Sequence, residues 1–120
     1  MKVLVVDDSN FARRALKKLL SQQLEGWEII DTGVSTEAFG LFKEHSPSVV
    51  FLDLTMPEMS GEEVLEQIRT VDKECKVIIL TADIQNKTRE NVMALGASVF
   101  MNKPVDAEKL AEALVEVYSK

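Results

Sequence analysis

Asp53 closes the apolar run Val49-Val50-Phe51-Leu52, at the point where such a run should stop. Asp7 and Asp8 close another, Val3-Leu4-Val5-Val6, while Thr81 follows Val77-Ile78-Ile79-Leu80 and Lys103 lies just past the stretch ending at Met101. Three carboxylates, a hydroxyl and an ammonium thus stand at the ends of short apolar segments. If those segments are parallel strands, their carboxyl ends all point one way and the side chains converge on one rim, where open α/β sheets bind ligands. Two unit charges about 4 Å apart repel by about 4 kcal/mol at an effective dielectric of roughly 20. Carboxylates crowded in one crevice therefore need a raised pKa or a cation among them. An all-oxygen site left partly open suits Mg²⁺. Such a metal beside a hydroxyl and a fixed ammonium is equipped to handle a phosphoryl group: the metal and Lys103 neutralise its equatorial oxygens, Thr81 donates a hydrogen bond, and Asp53 attacks as nucleophile. Asp53 is the better nucleophile because it stands alone on its strand, whereas Asp7 and Asp8 are paired like metal ligands.

The elements that must position these groups follow from periodicity. Lys2 to Val6, Glu28 to Asp31, the run ending at Asp53, Lys76 to Leu80 and Ser98 to Met101 read as strands; four consecutive apolar residues before Asp53 indicate a strand covered on both faces. The second is short and is the one strand not expected to end in a chemically useful residue. Between them lie helical patterns. The first is capped by Ser9 or Asn10 and carries Phe11, Ala12, Ala15, Leu16, Leu19 and Leu20 at helical spacing, with Arg13, Arg14, Lys17 and Lys18 on a solvated opposite side. Gly33 breaks the chain and Ser35 caps the second helix, with Ala38, Leu41 and Phe42 inward. Pro57 and Gly61 punctuate a turn, and Ser60 with Glu63 forms a capping box before Val64, Leu65 and Ile68. Ile84 to Leu95 is helical but polar, with Ile84, Thr88, Val92 and Leu95 as its inner stripe and Gly96 as C-cap; so little burial predicts a comparatively mobile helix. Asp106 caps the last helix, with Leu110, Ala113, Leu114 and Val117 inward. Strands alternating with helices predict a doubly wound parallel α/β sheet of five strands with helices on both faces.

With 120 residues the chain is expected to form one domain, 1–120. A net charge of −6 argues against a nucleic-acid surface or an anionic membrane as partner. A single cysteine, Cys75, excludes an internal disulfide and a Cys-rich zinc site, and no membrane-length apolar run or signal peptide is visible. A cytoplasmic location is the expectation. Cys75 reads as unreactive, His45 as a helix-end residue facing the dipole, and Met56, Met59, Met93 and Met101 as packing.

Asp7-Asp8, Asp53, Thr81-Ala82 and Lys103-Pro104, with Met56-Pro57 and Gly61 in the loop after Asp53, resemble the receiver domains of two-component response regulators. The likeness spans essentially the whole chain, and the motifs fall in order at the ends of strands one, three, four and five. The opening Val-Asp-Asp-Ser is similar to that of free-standing chemotaxis receivers. The resemblance implies a flavodoxin-like sheet of strand order 2-1-3-4-5. It also implies that Asp53 accepts a phosphoryl group from a sensor histidine kinase or phosphotransfer domain. Asp8, Asp53 and the Thr55 backbone carbonyl would bind Mg²⁺, with Asp7 acting mainly through water. Thr81 and Lys103 would engage the phosphoryl oxygens, Phe100 would occupy the switch-aromatic position, and the Lys103–Pro104 bond would be cis. A downstream protein would bind the helix 4–strand 5–helix 5 face. Phe100 carries no phenol for a partner hydrogen bond, Trp27 lies away from the site, and Thr55 and Asp83 occupy the variable positions that help set phosphoryl lifetime.

Such a protein would catalyse its own phosphotransfer and autodephosphorylation without being a multiple-turnover enzyme. The alternatives are an Asp-nucleophile phosphohydrolase, a flavodoxin-like nucleotide binder and a phosphorylation-independent scaffold receiver. The first is disfavoured by Thr55, which stands where many such hydrolases carry a second acid two residues after the nucleophile. The second is disfavoured by Asp7-Asp8, which would repel phosphate in the first loop, and the third by the intact set of site residues.

Overall fold

The computed structural model describes residues 1–83 and 85–119. In chain order these form β1 (Lys2–Val6), α1 (Asn10–Gln23), β2 (Glu28–Thr32), α2 (Ser35–His45), β3 (Val49–Asp53), α3 (Gly61–Val71), β4 (Lys76–Thr81), α4 (Asn86–Ala94), β5 (Val99–Asn102) and α5 (Ala107–Tyr118). The strands build one parallel sheet in the order β2-β1-β3-β4-β5, as expected.

Because strand side chains alternate in direction, each strand feeds two cores. Val3, Val5, Val49, Phe51, Ile78, Leu80, Val99 and Met101 pack with Leu16 and Leu20 of α1 and with Leu110, Ala113 and Val117 of α5. Leu4, Val6, Val50, Leu52, Val77 and Ile79 face the other way, against Ala38 and Phe42 of α2, Val64, Leu65 and Ile68 of α3, and Val92 of α4. Every residue of β3 is buried, which makes it the sheet's central strand in both senses. The methionines pack as expected: Met101 is buried in the first core, and Met56, Met59 and Met93 are half-buried against the second.

Helix starts follow local chemistry. Ser9 caps α1 by accepting from the Ala12 N–H, Ser60 and Glu63 form the reciprocal capping box of α3, and Asp106 accepts from the Lys109 N–H to cap α5. α2 departs from expectation. Its N-cap is Val34, with no side-chain bond, and Ser35 is instead its buried first residue. The Ser35 hydroxyl donates to the Pro57 carbonyl (2.9 Å) and accepts from the Met59 N–H (3.2 Å). It thereby pins a γ-turn in which Met59 N–H also donates to Pro57 O (2.9 Å) across Glu58, whose φ is +71°. This γ-turn lies in the loop that leaves Asp53.

Phe11 also departs from the inward stripe: it is 82% exposed. Leu16 and Leu20 carry the burial of α1. In α4, Val92 is fully buried while Thr88 and Leu95 are only half-buried; Ile84, expected in the same stripe, lies outside the described residues. Gly96, with φ +105°, follows α4 and donates to Met93 O (3.1 Å), the expected C-terminal stop. Among the described residues no helix is long and apolar enough to cross a membrane. Cys75 is buried, and that burial, with the charge of Asp72, pushes its thiol up to about 12, so thiolate chemistry is suppressed at neutral pH.

Gly61 serves contact more than conformation. A Cβ there would strike the Asp53 carbonyl and the Leu54 backbone, because α3 starts directly against the end of β3, with Gly61 N–H donating to Leu54 O (3.0 Å). Backbone cannot yield as a side chain tip can. Gly61→Ala should therefore lower the unfolding free energy by about 1–3 kcal/mol in urea titrations; an unchanged midpoint would mean that α3 shifts without cost.

Candidate functional site

Strand register builds the site. Val6 lies opposite Leu52, so the next residues, Asp7 and Asp53, emerge side by side. Asp53 in turn lies opposite Leu80, one residue before Thr81, and Thr81 lies opposite Asn102, one residue before Lys103. A parallel sheet with these registers delivers all four groups to one edge.

Asp7, Asp8 and Asp53 each offer a carboxylate oxygen within 4.8 Å of the others. Asp7 and Asp53 are buried, and Asp8 is exposed. The Lys103 ammonium bridges the two buried acids, at 2.6 Å from Asp7 Oδ2 and 3.2 Å from Asp53 Oδ1. Asp7 Oδ1 additionally accepts from the Ser9 N–H (2.9 Å). Burial and then the charge of Asp7 push the Asp53 carboxyl up to about 6, with Lys103 offsetting part of the rise. Burial alone would lower Lys103, but the hydrogen bond to Asp7 and the charge of Asp53 outweigh it, so its pKa is raised and it stays an ammonium. The donor set is all oxygen, crowded and open to water on the Asp8 side, which fits Mg²⁺. Asp7, Asp8 and Asp53 are the carboxylates that could hold it; Thr55 is exposed just past the strand end.

Thr81 is buried, and its hydroxyl accepts from the Asp83 N–H (3.0 Å). The Asp83 carboxylate continues outward, accepting from Gln85 N–H (2.9 Å) and Thr88 Oγ1 (2.6 Å). It thus ties down the start of α4, whose own N-cap makes no side-chain bond. Phe100 is half-buried on the α4 side of the sheet, with the Arg89 guanidinium 5.8 Å from its ring centre. The Lys103–Pro104 bond is cis. Phe11, Ala12, Ala15, Pro104 and Val105 line an apolar cleft of about 350 Å³ that opens beside Asp7 and Lys103.

The expected solvated basic side of α1 requires correction. Arg13 Nε and Lys17 Nζ both donate to Asp31, each at 3.0 Å, and Arg13 reaches on to the Asp7 carbonyl (2.7 Å). Asp31 belongs to β2, the strand expected to carry no useful group. Its carboxyl, which burial alone would raise, is held below the usual range by those two cations. The available signal was positional: β1 and β2 pair Val5 with Asp31, so an acid on β2 must lie near the start of α1.

A carboxyl of pKa about 6 in the folded chain and near 3.8 when unfolded opposes folding once ionised. That penalty is absent below pH 4, grows between pH 4 and 6 and is constant above. Metal-free Asp53→Asn should therefore be more stable than the parent at pH 7 by about 1–2 kcal/mol, after discounting for solvent screening. Urea unfolding should show the difference closing toward pH 4; a gap independent of pH would contradict the assignment.

Residues 3–115 match the family model described as response regulator receiver domain. The chain is 37% identical to the chemotaxis protein CheY of Treponema pallidum over 97% of its length and 81% of the relative's. It is 33% identical to the chemotaxis protein CheY of Bacillus subtilis, covering 94% of this chain and 93% of that one. Among solved structures, the CheX–CheY–BeF3–Mg complex of Borrelia burgdorferi superimposes with a TM-score of 0.91 at 34% identity, over 100% of this chain and 90% of that chain. The chain belongs to the response regulator receiver domain family, of the CheY type.

Proposed function

We propose that the protein is a cytoplasmic phosphorylation-activated signalling switch in which Asp53 is the phosphoryl acceptor. The single observation that carries this reading is the Lys103 ammonium held between Asp7 and Asp53 while Asp8 stands within 4.8 Å of both. A carboxylate nucleophile, a fixed cation and an open oxygen site then share one crevice. Asp8, Asp53, the Thr55 carbonyl and Asp7 (the last mainly through water) would hold Mg²⁺. When bound, that ion supplies positive charge against which the crowded acids and the incoming phosphoryl oxygens are neutralised.

In the reaction, an Asp53 carboxylate oxygen forms a bond to phosphorus as the P–N bond of a phosphohistidine breaks, and the leaving imidazole takes up a proton. Lys103 exchanges part of its pairing with Asp53 for a phosphoryl oxygen, and the Thr81 hydroxyl turns to donate to another. Asp53 with a pKa of about 6 is ionised at neutral pH and available to attack. The donor, a sensor histidine kinase or phosphotransfer domain, approaches over the apolar cleft rimmed by Phe11. The output is read at the face formed by α4, β5 and α5, around Phe100, by a downstream protein. Likeness to chemotaxis proteins supports a chemotaxis-type pathway. The protein would turn over its own acyl phosphate without acting as a multiple-turnover enzyme. A phosphohydrolase reading lacks its second acid, since Thr55 holds that position.

Incubation with a small acyl phosphate and Mg²⁺, followed by intact mass and peptide mapping, should place one phosphoryl group on Asp53 and none on Asp53→Ala; equal labelling of the variant would remove Asp53 as acceptor. Lys103→Ala frees two buried carboxylates, so it should bind Mg²⁺ at least as tightly as the parent. Its α4–β5–α5 amide resonances should nevertheless fail to shift on phosphorylation. Shifts equal to the parent's would show that Lys103 plays no part in the relay.

A further inference from the structure

The geometry points to Arg13 as a positioning residue for the metal-binding turn, acting through the Asp7 backbone; this inference rests on the function proposed above. The Arg13 guanidinium donates one hydrogen bond from each of its three nitrogens and is mostly covered, with its side chain 17% exposed. Nε donates to Asp31 Oδ2 (3.0 Å), Nη2 to Asn10 Oδ1 (2.6 Å) and Nη1 to the Asp7 carbonyl oxygen (2.7 Å). Room for the planar group is made by Gly33, where any Cβ would collide with the guanidinium. Three elements therefore converge on one side chain: α1 carries it, β2 anchors it, and the residue after β2 leaves space for it.

What this holds in place is the peptide between the two acids. The peptide unit is planar, so a fixed Asp7 carbonyl fixes the plane from which Asp8 departs. The Asp7 side chain has its own restraints, from Lys103 and the Ser9 N–H. Asp8 has none: among the described residues nothing hydrogen-bonds its exposed carboxylate. The direction of Asp8 consequently depends on its backbone, which Arg13 restrains at the Asp7 carbonyl while Thr32 O holds the Asp7 N–H (3.2 Å). Groups that orient metal ligands from behind commonly change metal affinity by roughly 10–100-fold when removed.

The charge of Arg13 makes the inference separable from simple electrostatics. Losing a cation beside a divalent-metal site should tighten binding; losing the restraint should weaken it. We would titrate Mg²⁺ into the parent, Arg13→Met, Arg13→Lys and Lys17→Met, following the Asp8 and Asp53 amide resonances, with urea stability measured alongside. Expected are roughly tenfold weaker Mg²⁺ binding in Arg13→Met and a comparable loss in Arg13→Lys, which keeps the charge but not the fork. Lys17→Met loses the same charge and a bond to Asp31 without touching Asp7, and should bind as the parent does or more tightly. If Arg13→Met does not fold, Arg13→Lys carries the comparison. Binding by both Arg13 variants equal to or tighter than the parent's would overturn the positioning role while leaving the acceptor site intact. A parent that binds no Mg²⁺ would overturn both.

Discussion

Everything at the rim of this sheet is organised by the mutual repulsion of carboxylates that the fold will not let apart. The β1–β3 register places Asp7 and Asp53 side by side, both buried, with Asp8 just outside. One ammonium cannot neutralise three acids: burial first, and then the charge of Asp7, push the Asp53 carboxyl up to about 6 although Lys103 lies 3.2 Å away. The site is thus strained electrostatically when empty, and any bound positive charge relieves it. A stability cost concentrated at one rim is the common relation between strained sites and function.

In the proposed switch, the same crowding would limit how strongly a phosphoryl group drives a change. Two charge-assisted hydrogen bonds, from Thr81 and Lys103, would each be worth roughly 1.5–3 kcal/mol if made from nothing. Inverting a population from 1:99 to 99:1 requires about 5.5 kcal/mol. Lys103, however, already bonds Asp7 and Asp53, and the Thr81 hydroxyl already accepts from Asp83 N–H. Part of each new bond replaces an old one, so the net drive falls short of the gross sum. A complete switch then requires that the element to be moved be weakly held, and α4 meets that condition, with Val92 as its one fully buried side chain among the described residues.

The strands and the convergence of Asp7, Asp8, Asp53, Thr81 and Lys103 were legible because they rest on short-range rules: apolar runs end where the rim begins, and parallel strands share a direction. The strand order, by contrast, was implied only by the family resemblance. Ser60 with Glu63, and Asp106, were legible as caps for the same local reason. What escaped depends on distance in the chain. Ser35 looked like a cap, but its hydroxyl bonds Pro57 and Met59, more than twenty residues on. Phe11 matched the inward periodicity of α1 but instead lines the open apolar cleft beside Asp7 and Lys103. Arg13 was indistinguishable from its neighbours Arg14 and Lys18 by type and spacing; only the packing of β2 against α1 separates a clamped guanidinium from a solvated one. Gly61 was read as a turn residue, whereas its role is to let helix and strand backbones touch.

These long-range contacts fall in two places, and their placement has a consequence. Arg13 with Asp31 braces the turn carrying Asp7 and Asp8 from the β2 side. Ser35 and Gly61 brace the loop leaving Asp53, one through the Pro57–Met59 turn and the other by close contact of backbones. Both supports rest on buried or half-buried residues, Arg13 and Asp31 in one, Ser35 and Gly61 in the other. Toward α4, the link runs from buried Thr81 to exposed Asp83, which accepts from Gln85 N–H, Thr88 Oγ1 and Asn102 Nδ2 near the surface. A rearrangement at Asp53 therefore meets stiff structure in one direction and yielding structure in the other. In the proposed switch, the direction in which a signal would leave this site follows from that asymmetry, because a free-energy change displaces most the element whose alternatives cost least.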